Sequence, residues 1–445
     1  MSDGIYRVAG ELRRDSLSVY NRLQSIADDA RFVAEVAELF PAYPVLPNER
    51  CGLWYVDPAG SAQTVYFKST DGHHGQWRFS LRRANTHLLR VLGSRGGCLL
   101  VDSTRRGKSM PDALSRTVPL WCAVWNTVAA RAKGDRDWDC RVYVPPSIVS
   151  DSERAQIEQR VPQFADELEA SAIDARALVA CLDKPLRPIW ITRDHRLGLP
   201  PDFAGADFIP VICVSTSMAG PVDRSGFVYV QGAADDHELW AGGLTPRLFW
   251  KHRRRLLETD RAACAALVED IVASGKTASS SGTDFAFVRS TGVAVGSRTS
   301  GRPPECWSRF DAVVNCGAPE YEPNQDPSLG DRYLFLPIPE GKKGQVALGK
   351  SIPRALEFIR PFLAAKENPA VLIHCSQGVD RSVGIALAIL TRYYNDTGSF
   401  VETQTDEISK LSIQNRLLWI TTSRAKANPS RATLKQVNRH FLDYI

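Results

Sequence analysis

The sequence predicts an α/β protein with two domains, and three observations support that class. The chain has 445 residues, which is more than one hydrophobic core usually organises. Short apolar segments of strand length alternate with amphipathic segments of helix length. A segment rich in Ser, Gly and Thr, residues 272–284, interrupts this alternation and is predicted to be a linker. It would separate a domain of residues 1–271 from a domain of residues 285–445.

The first domain is predicted to alternate between helices and strands. A helix is expected over residues 16–40, where apolar residues recur at helical spacing before Pro41. Two more are expected over 114–132, with a proline near its start, and over 145–169, capped by Ser150, Asp151 or Ser152. Strands are expected at 51–56, at 64–70, at the apolar run 98–101 that ends in a turn, at 209–217, and from 226 onwards.

The second domain is predicted to place its strands before its helices. Three short strands are expected within residues 293–298, 310–317 and 333–339. A helix over 352–366 then precedes a strand at 370–375, and a second helix follows over 382–395. The segment 399–420 is expected to supply the final helices of the fold.

Charge is concentrated in one stretch of the chain. Residues 78–116 contain nine Lys or Arg against two acids, although the whole chain carries a net charge of only +5. A second basic cluster is KHRRR, residues 251–255. Such concentration suggests a polyanionic partner, and a solvated face is the alternative for each cluster.

Several protein classes are excluded by composition. The N-terminus has no apolar run, and no stretch of 18 apolar residues occurs, so we expect neither a signal peptide nor a membrane span and place the protein in the cytoplasm. None of the ten cysteines forms a Cys-x-x-Cys pair, which argues for reduced thiols rather than a structural zinc site.

Residues 374–382, HCSQGVDRS, have the spacing of a phosphate-binding loop. A strand would deliver the cysteine to a tight turn whose backbone N–H groups point inward, and the next helix would add its positive end. The glycine allows close approach, the arginine matches two phosphate oxygens, and the serine can cap the helix or bond the thiol. The predicted phosphate-binding residues are Cys375, Ser376, Gln377, Gly378, Val379, Asp380, Arg381 and Ser382.

This loop resembles the signature of the protein tyrosine and dual-specificity phosphatases, and the resemblance covers roughly residues 285–445. It implies a dual-specificity-phosphatase-like α/β domain at the C-terminus. The family also implies an Asp general acid some thirty residues before the cysteine, where this chain has Pro339 or Glu340 followed by two lysines. The departure favours phosphate binding over phosphatase chemistry, with Cys375 serving only to form the loop.

Several strings in the first domain are distinctive, among them KSTDGHHGQWRFSLRRANTHLL (68–89), GCLLVDSTRRGKSMPDALSRTVPLWCAVWN (97–126) and YVQGAADDHELWAGGLTPRLFW (229–250). Together with the loop they resemble the initiator-tRNA ribosyl-phosphate transferase family of fungi and plants. The resemblance implies transfer of a 5-phosphoribosyl group from phosphoribosyl pyrophosphate (PRPP) to the ribose 2′-hydroxyl of a T-stem purine, position 64, of initiator tRNA-Met. That modification would exclude the tRNA from elongation. PRPP would be the co-substrate, Mg²⁺ would accompany it, and no protein partner can be inferred.

The chemistry of such a transfer suggests roles for three sets of residues. Pyrophosphate would be neutralised by Arg105, Arg106 and Lys108 or by Mg²⁺. The base that takes the 2′-hydroxyl proton would be Asp102, His73, His74, Asp235, Asp236, His237 or Asp380. The tRNA stem would be bound by Arg82, Arg83, Arg253, Arg254 and Arg255.

Alternatives stay open for each of these assignments. The stretch around Asp102 fits a PRPP site, a tRNA-phosphate site or a basic surface turn, and Asp235–His237 fits a helix cap as well as a base. A phosphatase of RNA, phosphoinositide or protein is the competing enzyme, and a pseudophosphatase that binds phosphorylated partners is the competing binding protein. The missing Asp counts against the first, and the Arg-, Asp- and His-rich strings of the first domain count against the second.

Overall fold

The protein is described from a computed structural model. The structure describes residues 17–49, 51–58, 63–105, 107–171, 173–193, 201–203, 205–218, 223–224, 226–234, 240–278, 284–322, 331–365, 369–395, 398–402, 408–424 and 426–442. The chain divides into two compact units, Met1–Ala278 and Ser279–Ile445. The boundary falls inside the predicted linker.

The first unit contains a parallel sheet and two smaller strands. Its strands are β1 (Val45–Pro47), β2 (Cys98–Asp102), β3 (Leu186–Thr192), β4 (Ile209–Ser215), β5 (Asp223–Arg224) and β6 (Phe227–Val228). Its helices are α1 (Val19–Leu39), α2 (Thr86–Arg95), α3 (Val118–Lys133), α4 (Asp151–Glu158), α5 (Val161–Glu169), α6 (Ala175–Val179), α7 (Pro246–Glu258) and α8 (Cys264–Ala278). The order β1-β2-β4-β3 places β2 and β4 at the centre, and all of their residues are buried.

Both faces of this sheet are covered, which explains why its central strands are continuously apolar. Leu100 and Cys213 face a core that includes residues of α2, α3 and α5. Leu99 and Val214 face the opposite core, which includes residues of α1, α7 and α8. Alternate residues of each strand therefore supply the two cores, as the pleat requires.

Two strands predicted in the first unit, at 51–56 and 64–70, do not form. Within 51–56 the chain forms a 3₁₀ turn, Gly52–Trp54, and within 64–70 it forms the isolated bridge of Val65 with Asn48 and the start of a second 3₁₀ turn. At Gly52 a Cβ atom would lie 2.3 Å from the carbonyl oxygen of Val101. This backbone packs across the end of the sheet instead of extending it.

Three other boundaries differ from the prediction. The helix predicted over 145–169 is two helices, α4 and α5, and Pro162, which lacks a backbone N–H, stands in the first turn of the second one. From residue 226 the described strand, β6, has only two residues. The helix α8 continues to Ala278, so the first seven residues of the predicted linker are helical.

The second unit contains one five-stranded sheet with four main helices. Its strands are β7 (Phe285–Phe287), β8 (Val293–Gly296), β9 (Ala312–Asn315), β10 (Tyr333–Phe335) and β11 (Val371–His374). Its helices are α9 (Gln345–Ala364), α10 (Arg381–Tyr393), α11 (Lys410–Ser423) and α12 (Arg431–Leu442). The order is β10-β9-β11-β8-β7, with β7 antiparallel to β8 and the other pairs parallel. The predicted strands and helices up to residue 395 of this unit are confirmed, except that α9 begins seven residues earlier than predicted, at Gln345 rather than 352. The prediction that residues 399–420 supply the final helices is only partly right, because α11 begins at Lys410 and α12 lies beyond the predicted range.

Candidate functional site

The first candidate site is a cleft at the carboxyl edge of the sheet in the first unit. In an open parallel sheet this edge is where ligands usually bind. The cleft has a volume of about 350 Å³. It is lined by Asn48, Glu49, Cys51, Tyr66, Phe67, Lys68, Ser69, Thr70, His73, Asp102, Ser103, Thr104, Arg105, Lys108, Pro111 and Asp112. Four residues predicted from the sequence, Asp102, His73, Arg105 and Lys108, therefore meet in one cleft.

Asp102 ends β2 and is held in a fixed orientation. Its Oδ2 accepts a hydrogen bond from Asn48 Nδ2 at 2.8 Å, and its Oδ1 accepts from the backbone N–H of Ser103 at 2.9 Å. Asn48 is itself fixed, because its amide exchanges two hydrogen bonds with the backbone of Phe67. The Ser103 hydroxyl lies 3.0 Å from that of Tyr55. The carboxyl group of Asp102 is thus buried and hydrogen-bonded, and it lines the cleft.

The loop after β2 is held by side chains from distant parts of the chain. The amide of Gln231 accepts from Gly107 N and donates to the Lys108 carbonyl, each at 2.7 Å. The hydroxyl of Ser215, at the end of β4, donates to the Ser109 carbonyl at 2.7 Å. Through these contacts the turn presents its basic residues to the cleft instead of projecting freely.

The predicted pyrophosphate ligands of this loop are only partly described. Arg105 and Lys108 line the cleft, and Lys108 Nζ also contacts Asp112 at 3.2 Å. Arg106 lies outside the described residues. A third cation in the lining, Lys68, was not predicted. Beyond Asp112 a π-helical turn, Ala113–Thr117, leads into α3, so a helical N-terminus borders the same cleft.

The two adjacent histidines have different surroundings, although both are exposed as predicted. His73 lines the cleft, and its Nε2 lies 3.9 Å from Asp112 Oδ2. His74 Nδ1 lies 3.4 Å from Glu153, outside the cleft lining. Arg116 makes a bidentate ion pair with the same Glu153 and lowers its pKa. Of the pair, His73 is the candidate for chemistry.

The remaining predicted bases of the first unit cannot be placed. Asp235, Asp236 and His237 lie outside the described residues. The residues just before them do approach the cleft loop: at Gly232 a Cβ atom would lie 2.6 Å from the Thr104 carbonyl oxygen.

The second candidate site is the predicted phosphate loop, which joins β11 to α10. Gly378 has a φ of +69°, and a Cβ atom there would lie 2.5 Å from both Arg424 Nη2 and the Gly296 carbonyl oxygen, so only glycine fits. The backbone N–H of Gly378 donates to Cys375 Sγ at 3.2 Å, and the Ser382 hydroxyl lies 3.3 Å from the same sulfur. Burial alone would raise the pKa of Cys375. Hydrogen bonds from Ser382 and from the loop backbone outweigh it and lower that pKa below the ordinary thiol value.

Arg381 is oriented by four hydrogen bonds. Its Nη1 donates to the carbonyls of Gly317 and Ile338 at 3.0 and 2.8 Å. Its Nη2 donates to Ser376 Oγ at 2.9 Å and to Glu340 Oε1 at 2.5 Å. Glu340, one of the two positions at which the phosphatase resemblance implied an Asp, therefore contacts the arginine of the predicted phosphate loop directly. The Arg381 guanidinium is therefore held in a fixed orientation, and its Nη2 donates to the Glu340 carboxylate.

Asp380 connects the loop to the C-terminal segment through a hydrogen bond. Its Oδ1 accepts from the backbone N–H of Ser430, next to the start of α12. The neighbouring Val379 carbonyl accepts from Asn428 N at 2.9 Å, and the Gly378 carbonyl accepts from Arg424 Nε at 2.9 Å. These contacts tie the loop to the C-terminal segment, and they turn Asp380 toward Ser430 rather than toward a proton-transfer role.

The arginines predicted to bind tRNA are not equivalent. Arg82 is exposed, whereas Arg83 makes a bidentate contact with Asp71 at 3.0 and 2.7 Å. On α7, Arg253 lies over the Trp250 ring at 5.0 Å. Arg254 and Arg255 are exposed and pair with acids of the surface, Glu258 and Asp270. Arg82, Arg254 and Arg255 therefore remain accessible to a polyanion.

Several site residues were missed by sequence reasoning. Asn48 follows β1, a three-residue strand with no distinct sequence pattern. Asp112 was counted only as an acid within a basic stretch. Glu340 was considered only as a replacement acid, not as a partner of Arg381. A polar residue at the end of each short apolar run is the signal that would have identified Asn48.

Neither a metal-binding cluster nor a membrane-spanning helix is found among the described residues. Across the described ranges, no group of three or more His, Cys, Asp or Glu side chains could hold a metal ion. In that part of the chain no helix combines the length and the apolar character needed to cross a membrane.

Comparison with known proteins connects both sites to one family. The family model described as the Rit1 N-terminal domain matches residues 12–273, and that of the Rit1 DUSP-like domain matches residues 332–441. An uncharacterized protein of Schizosaccharomyces pombe is 36% identical over 439 residues, with 95% of this chain and 94% of that protein covered. The tRNA A64-2′-O-ribosylphosphate transferase of Saccharomyces cerevisiae is 33% identical over an alignment of 499 positions, with 99% and 96% covered.

The solved structures to which the chain is similar include phosphatase domains that cover about a third of it, 34% in the first example. The phosphatase domain of Yvh1 from Chaetomium thermophilum is 18% identical, covers 34% of this chain and 92% of that chain, and has a TM-score of 0.28. The family matches confirm the dual-specificity-phosphatase-like fold and the transferase resemblance expected from the sequence. The chain therefore belongs to the Rit1 family, with that family's N-terminal domain in the first unit and its DUSP-like domain in the second.

Proposed function

We propose that this protein transfers a 5-phosphoribosyl group from PRPP to the ribose 2′-hydroxyl of the T-stem purine at position 64 of initiator tRNA-Met. The observation that carries the proposal is the cleft that brings Lys68, Arg105 and Lys108 next to His73 and the fixed carboxylate of Asp102. It occurs in a chain that is 33% identical to a tRNA A64-2′-O-ribosylphosphate transferase.

The donor's pyrophosphate would lie among the three cations of the cleft. Lys68, Arg105 and Lys108 would neutralise the charge that grows on it as it departs. The helical N-terminus after Asp112 adds a positive potential at the same edge. Mg²⁺ would enter with the pyrophosphate, because this cation is commonly held by substrate phosphates and one or two carboxylates. Asp102 and Asp112 are the lining carboxylates that fit such a role.

The reaction forms a bond from the tRNA 2′-oxygen to the anomeric carbon of the donor and breaks the bond from that carbon to pyrophosphate. The 2′-hydroxyl proton must be removed as the bond forms. We assign this step to His73, because its imidazole lines the cleft and lies beside a second polar group, with Nε2 3.9 Å from Asp112 Oδ2. Asp102, whose oxygens already accept hydrogen bonds, would anchor the donor side of the cleft.

The loop from Cys375 to Ser382 would bind one phosphate group of the donor or of the tRNA. Its inward N–H groups, the end of α10 and Arg381 form an anion site that needs no covalent step. In this role Cys375 shapes the loop, and Arg381 supplies the charge.

The tRNA stem would be held through its phosphates and 2′-hydroxyls, since double-stranded RNA is read mainly by shape. Arg82, Arg254 and Arg255 are the exposed candidates, whereas the Arg83 side chain is only 15% exposed and lies against Asp71. If these arginines contact phosphates, the affinity for tRNA should fall as the salt concentration rises.

The reaction itself is tested by incubating the purified protein with PRPP, Mg²⁺ and unmodified initiator tRNA and measuring the mass of the intact RNA. A gain of one phosphoribosyl unit on initiator tRNA, and none without PRPP, is the expected result. Ribonuclease mapping then locates the added group. No mass gain from active, folded protein would refute the proposal.

The residue roles are tested with matched pairs of variants. His73→Ala should lower the transfer rate by about 10²–10⁴-fold, the usual contribution of a general base, whereas His74→Ala should leave it nearly unchanged. Lys108→Ala should weaken PRPP binding, whereas Arg154→Ala should not, although Arg154 forms a similar exposed i,i+4 ion pair, with Glu158. Equal losses within either pair would refute the assignment of the cleft residue.

A Cys-dependent phosphatase is the second candidate, because the pKa of Cys375 is lowered and a carboxyl group, Glu340, lies beside Arg381. The two functions are separated by Cys375→Ser and Arg381→Ala. For the transferase, the first variant should retain a large part of the transfer activity and the second should lose nearly all of it. Hydrolysis of an aryl phosphate that disappears in Cys375→Ser, without any transfer to tRNA, would instead establish the phosphatase.

A further inference from the structure

A second cavity of the first unit lies at the amino edge of its parallel sheet, at the other end of the strands from the cleft. Its volume is about 520 Å³, which is within the usual range of pockets that bind small molecules. Lining residues stand one or two positions before the start of every strand of that sheet: Tyr43 before β1, Gly96 before β2, Lys184 before β3 and Phe208 before β4. We call this cavity the amino-edge pocket.

The lining of the amino-edge pocket contains three stacked aromatic rings. The Phe40 ring is stacked with those of Tyr43 and Phe203, with centroids 6.2 Å apart in both pairs and interplanar angles of 11° and 20°. Phe40 is buried, whereas Tyr43 and Phe203 are only partly buried. Two partly exposed rings of similar orientation thus suit the stacking of a further flat ring.

These rings are held in place by their surroundings. At Gly97 a Cβ atom would lie 2.8 Å from Tyr43 Cε1, so a larger residue before β2 would displace the Tyr43 ring. The backbone N–H of Tyr43 donates to the Phe40 carbonyl at 3.0 Å, which keeps both rings on one turn. On the other side, Phe208 contacts Phe203 edge-on, with centroids 5.9 Å apart. The aromatic surface is therefore formed before any ligand binds.

The polar residues of the amino-edge pocket carry both signs of charge. Arg95 is exposed and belongs to the most basic stretch of the chain. Lys184 Nζ donates to the Ala206 carbonyl at 2.8 Å, which keeps the ammonium group at the pocket. The carboxyl groups of Asp183 and Asp202 belong to the same lining. Aromatic faces, cations for a phosphate and carboxylates that accept from N–H groups are together the features that bind an unpaired nucleotide of RNA.

We infer that the amino-edge pocket binds an unpaired nucleobase of the substrate RNA by stacking it on Tyr43 and Phe203, with the adjoining phosphate at Arg95. The inference rests on the proposed function for the identity of that RNA as tRNA. A base inside a stem is already stacked and paired, so this pocket selects a base outside the modified stem.

The geometry of the sheet connects the two sites. Ile209, the first residue of β4, lines the amino-edge pocket, and Ser215, the last, is paired in register with Asp102 of the cleft. β4 has seven residues, so at about 3.3 Å per residue its ends are about 20 Å apart. One folded tRNA spans that distance. An unpaired base in the pocket would therefore help to fix which ribose of the stem reaches the cleft.

The first test is ultraviolet cross-linking of the full chain to unmodified initiator tRNA without PRPP, followed by digestion and mass spectrometry. We expect a peptide containing Tyr43 or Phe203 that is joined to an unpaired nucleotide. Cross-links confined to other peptides, or to paired nucleotides of the stem, would overturn the inference. Because this readout needs no transfer, the pocket can fail while the transferase stands, and a cross-link without any transfer would show the reverse.

The second test measures tRNA affinity over a range of salt concentrations. Phe203→Leu keeps an apolar side chain but removes the ring, so it should weaken binding by about 5- to 150-fold, the contribution of one stacked base. It should leave the salt dependence unchanged. Arg95→Ala should instead reduce the slope of log affinity against log salt by about 0.7, the value for one phosphate of a single strand. Phe287→Leu alters a ring of the second unit that is 41% exposed, and it should change neither quantity.

A fully paired RNA duplex provides the matched ligand. Its affinity should be the same for Phe203→Leu as for the unmodified chain, because it offers no unpaired base. Tyr43→Leu gives the same comparison if Phe203→Leu does not fold. The inference is overturned if the folded variants bind initiator tRNA as tightly as the unmodified chain does, as expected if another protein segment covers the pocket, or if they lose equal affinity for the duplex.

Discussion

Replacing Glu340 with Gln is predicted to tighten phosphate binding by the Cys375 loop. The Glu340 carboxylate accepts a 2.5 Å hydrogen bond from Arg381 Nη2, which is one of the donors that a bound phosphate would use. Arg381 is almost fully buried, with 9% of its side chain exposed, whereas 70% of the Glu340 side chain is exposed. Phosphate therefore has to displace a solvated, negatively charged competitor.

The size of the effect follows from the exposure of the pair. Exposed ion pairs contribute about 0.2–1 kcal/mol, and about 1.4 kcal/mol corresponds to a tenfold change in affinity. Removing the competitor should therefore strengthen phosphate binding by about 1.4-fold to about fivefold. The gain should shrink as salt increases, because salt screens an exposed charge.

The assay is calorimetric titration of inorganic phosphate into Glu340→Gln and into Glu402→Gln. The control removes a carboxylate of similar exposure that pairs with Arg360 at 2.8 Å in the same unit. We expect tighter binding in the first variant only. Weaker binding in Glu340→Gln would show that the carboxylate supports the anion site instead of competing for it, and this would refute the reasoning.

Three further predictions concern buried polar groups. Asn48→Ala should destabilise the first unit by about 2–4 kcal/mol in denaturant unfolding, because the Asp102 carboxylate and the Phe67 backbone lose buried partners; an unchanged midpoint would contradict this. Burial raises the pKa of Asp29 to about 8 from 3.8, so the folded first unit holds a proton that the unfolded chain releases. The first unit should therefore lose stability as pH rises from 4 to 8, by at most about 1.4 kcal/mol per pH unit. Asp29→Asn should make its stability less dependent on pH in this range. Burial lowers the pKa of His374 to about 4 from 6.5, so the second unit should lose stability as pH falls from 6.5 to 4. Hydrogen exchange measured separately for peptides of each unit distinguishes these opposite trends.

The phosphate loop shows how far local sequence determines a site. Cys375, Gly378 and Arg381 are close in the chain, and the strand before them and the helix after them follow from uninterrupted apolar patterns. The loop's conformation depends on a glycine at positive φ and on backbone donors that any residue provides. The conformation of the loop could therefore be predicted from nine consecutive residues, whereas phosphate binding by the loop stays a prediction.

The cleft of the first unit could be predicted only in part. The strand before Asp102 is continuously apolar, so the position of that carboxylate at the end of a strand was evident. The role of Asn48 was not evident from the sequence, because β1 has only three residues and shows no alternation of apolar and polar side chains. The segments after it were also predicted as strands, which they are not. The meeting of Asn48 with Asp102, 54 residues apart, depends on the pairing of β1 with β2.

By itself, the sequence determined the α/β class and the family, and it predicted the two domains and a phosphate site in the loop of residues 374–382. Tertiary structure alone decided that His73 and not His74 lines the cleft, and that Glu340 accepts a hydrogen bond from Arg381. The physical reason is the range of the interactions involved. Periodicity and turn chemistry act between residues near in the chain, whereas a partner supplied by another strand or loop is selected by register and packing, which no local pattern records.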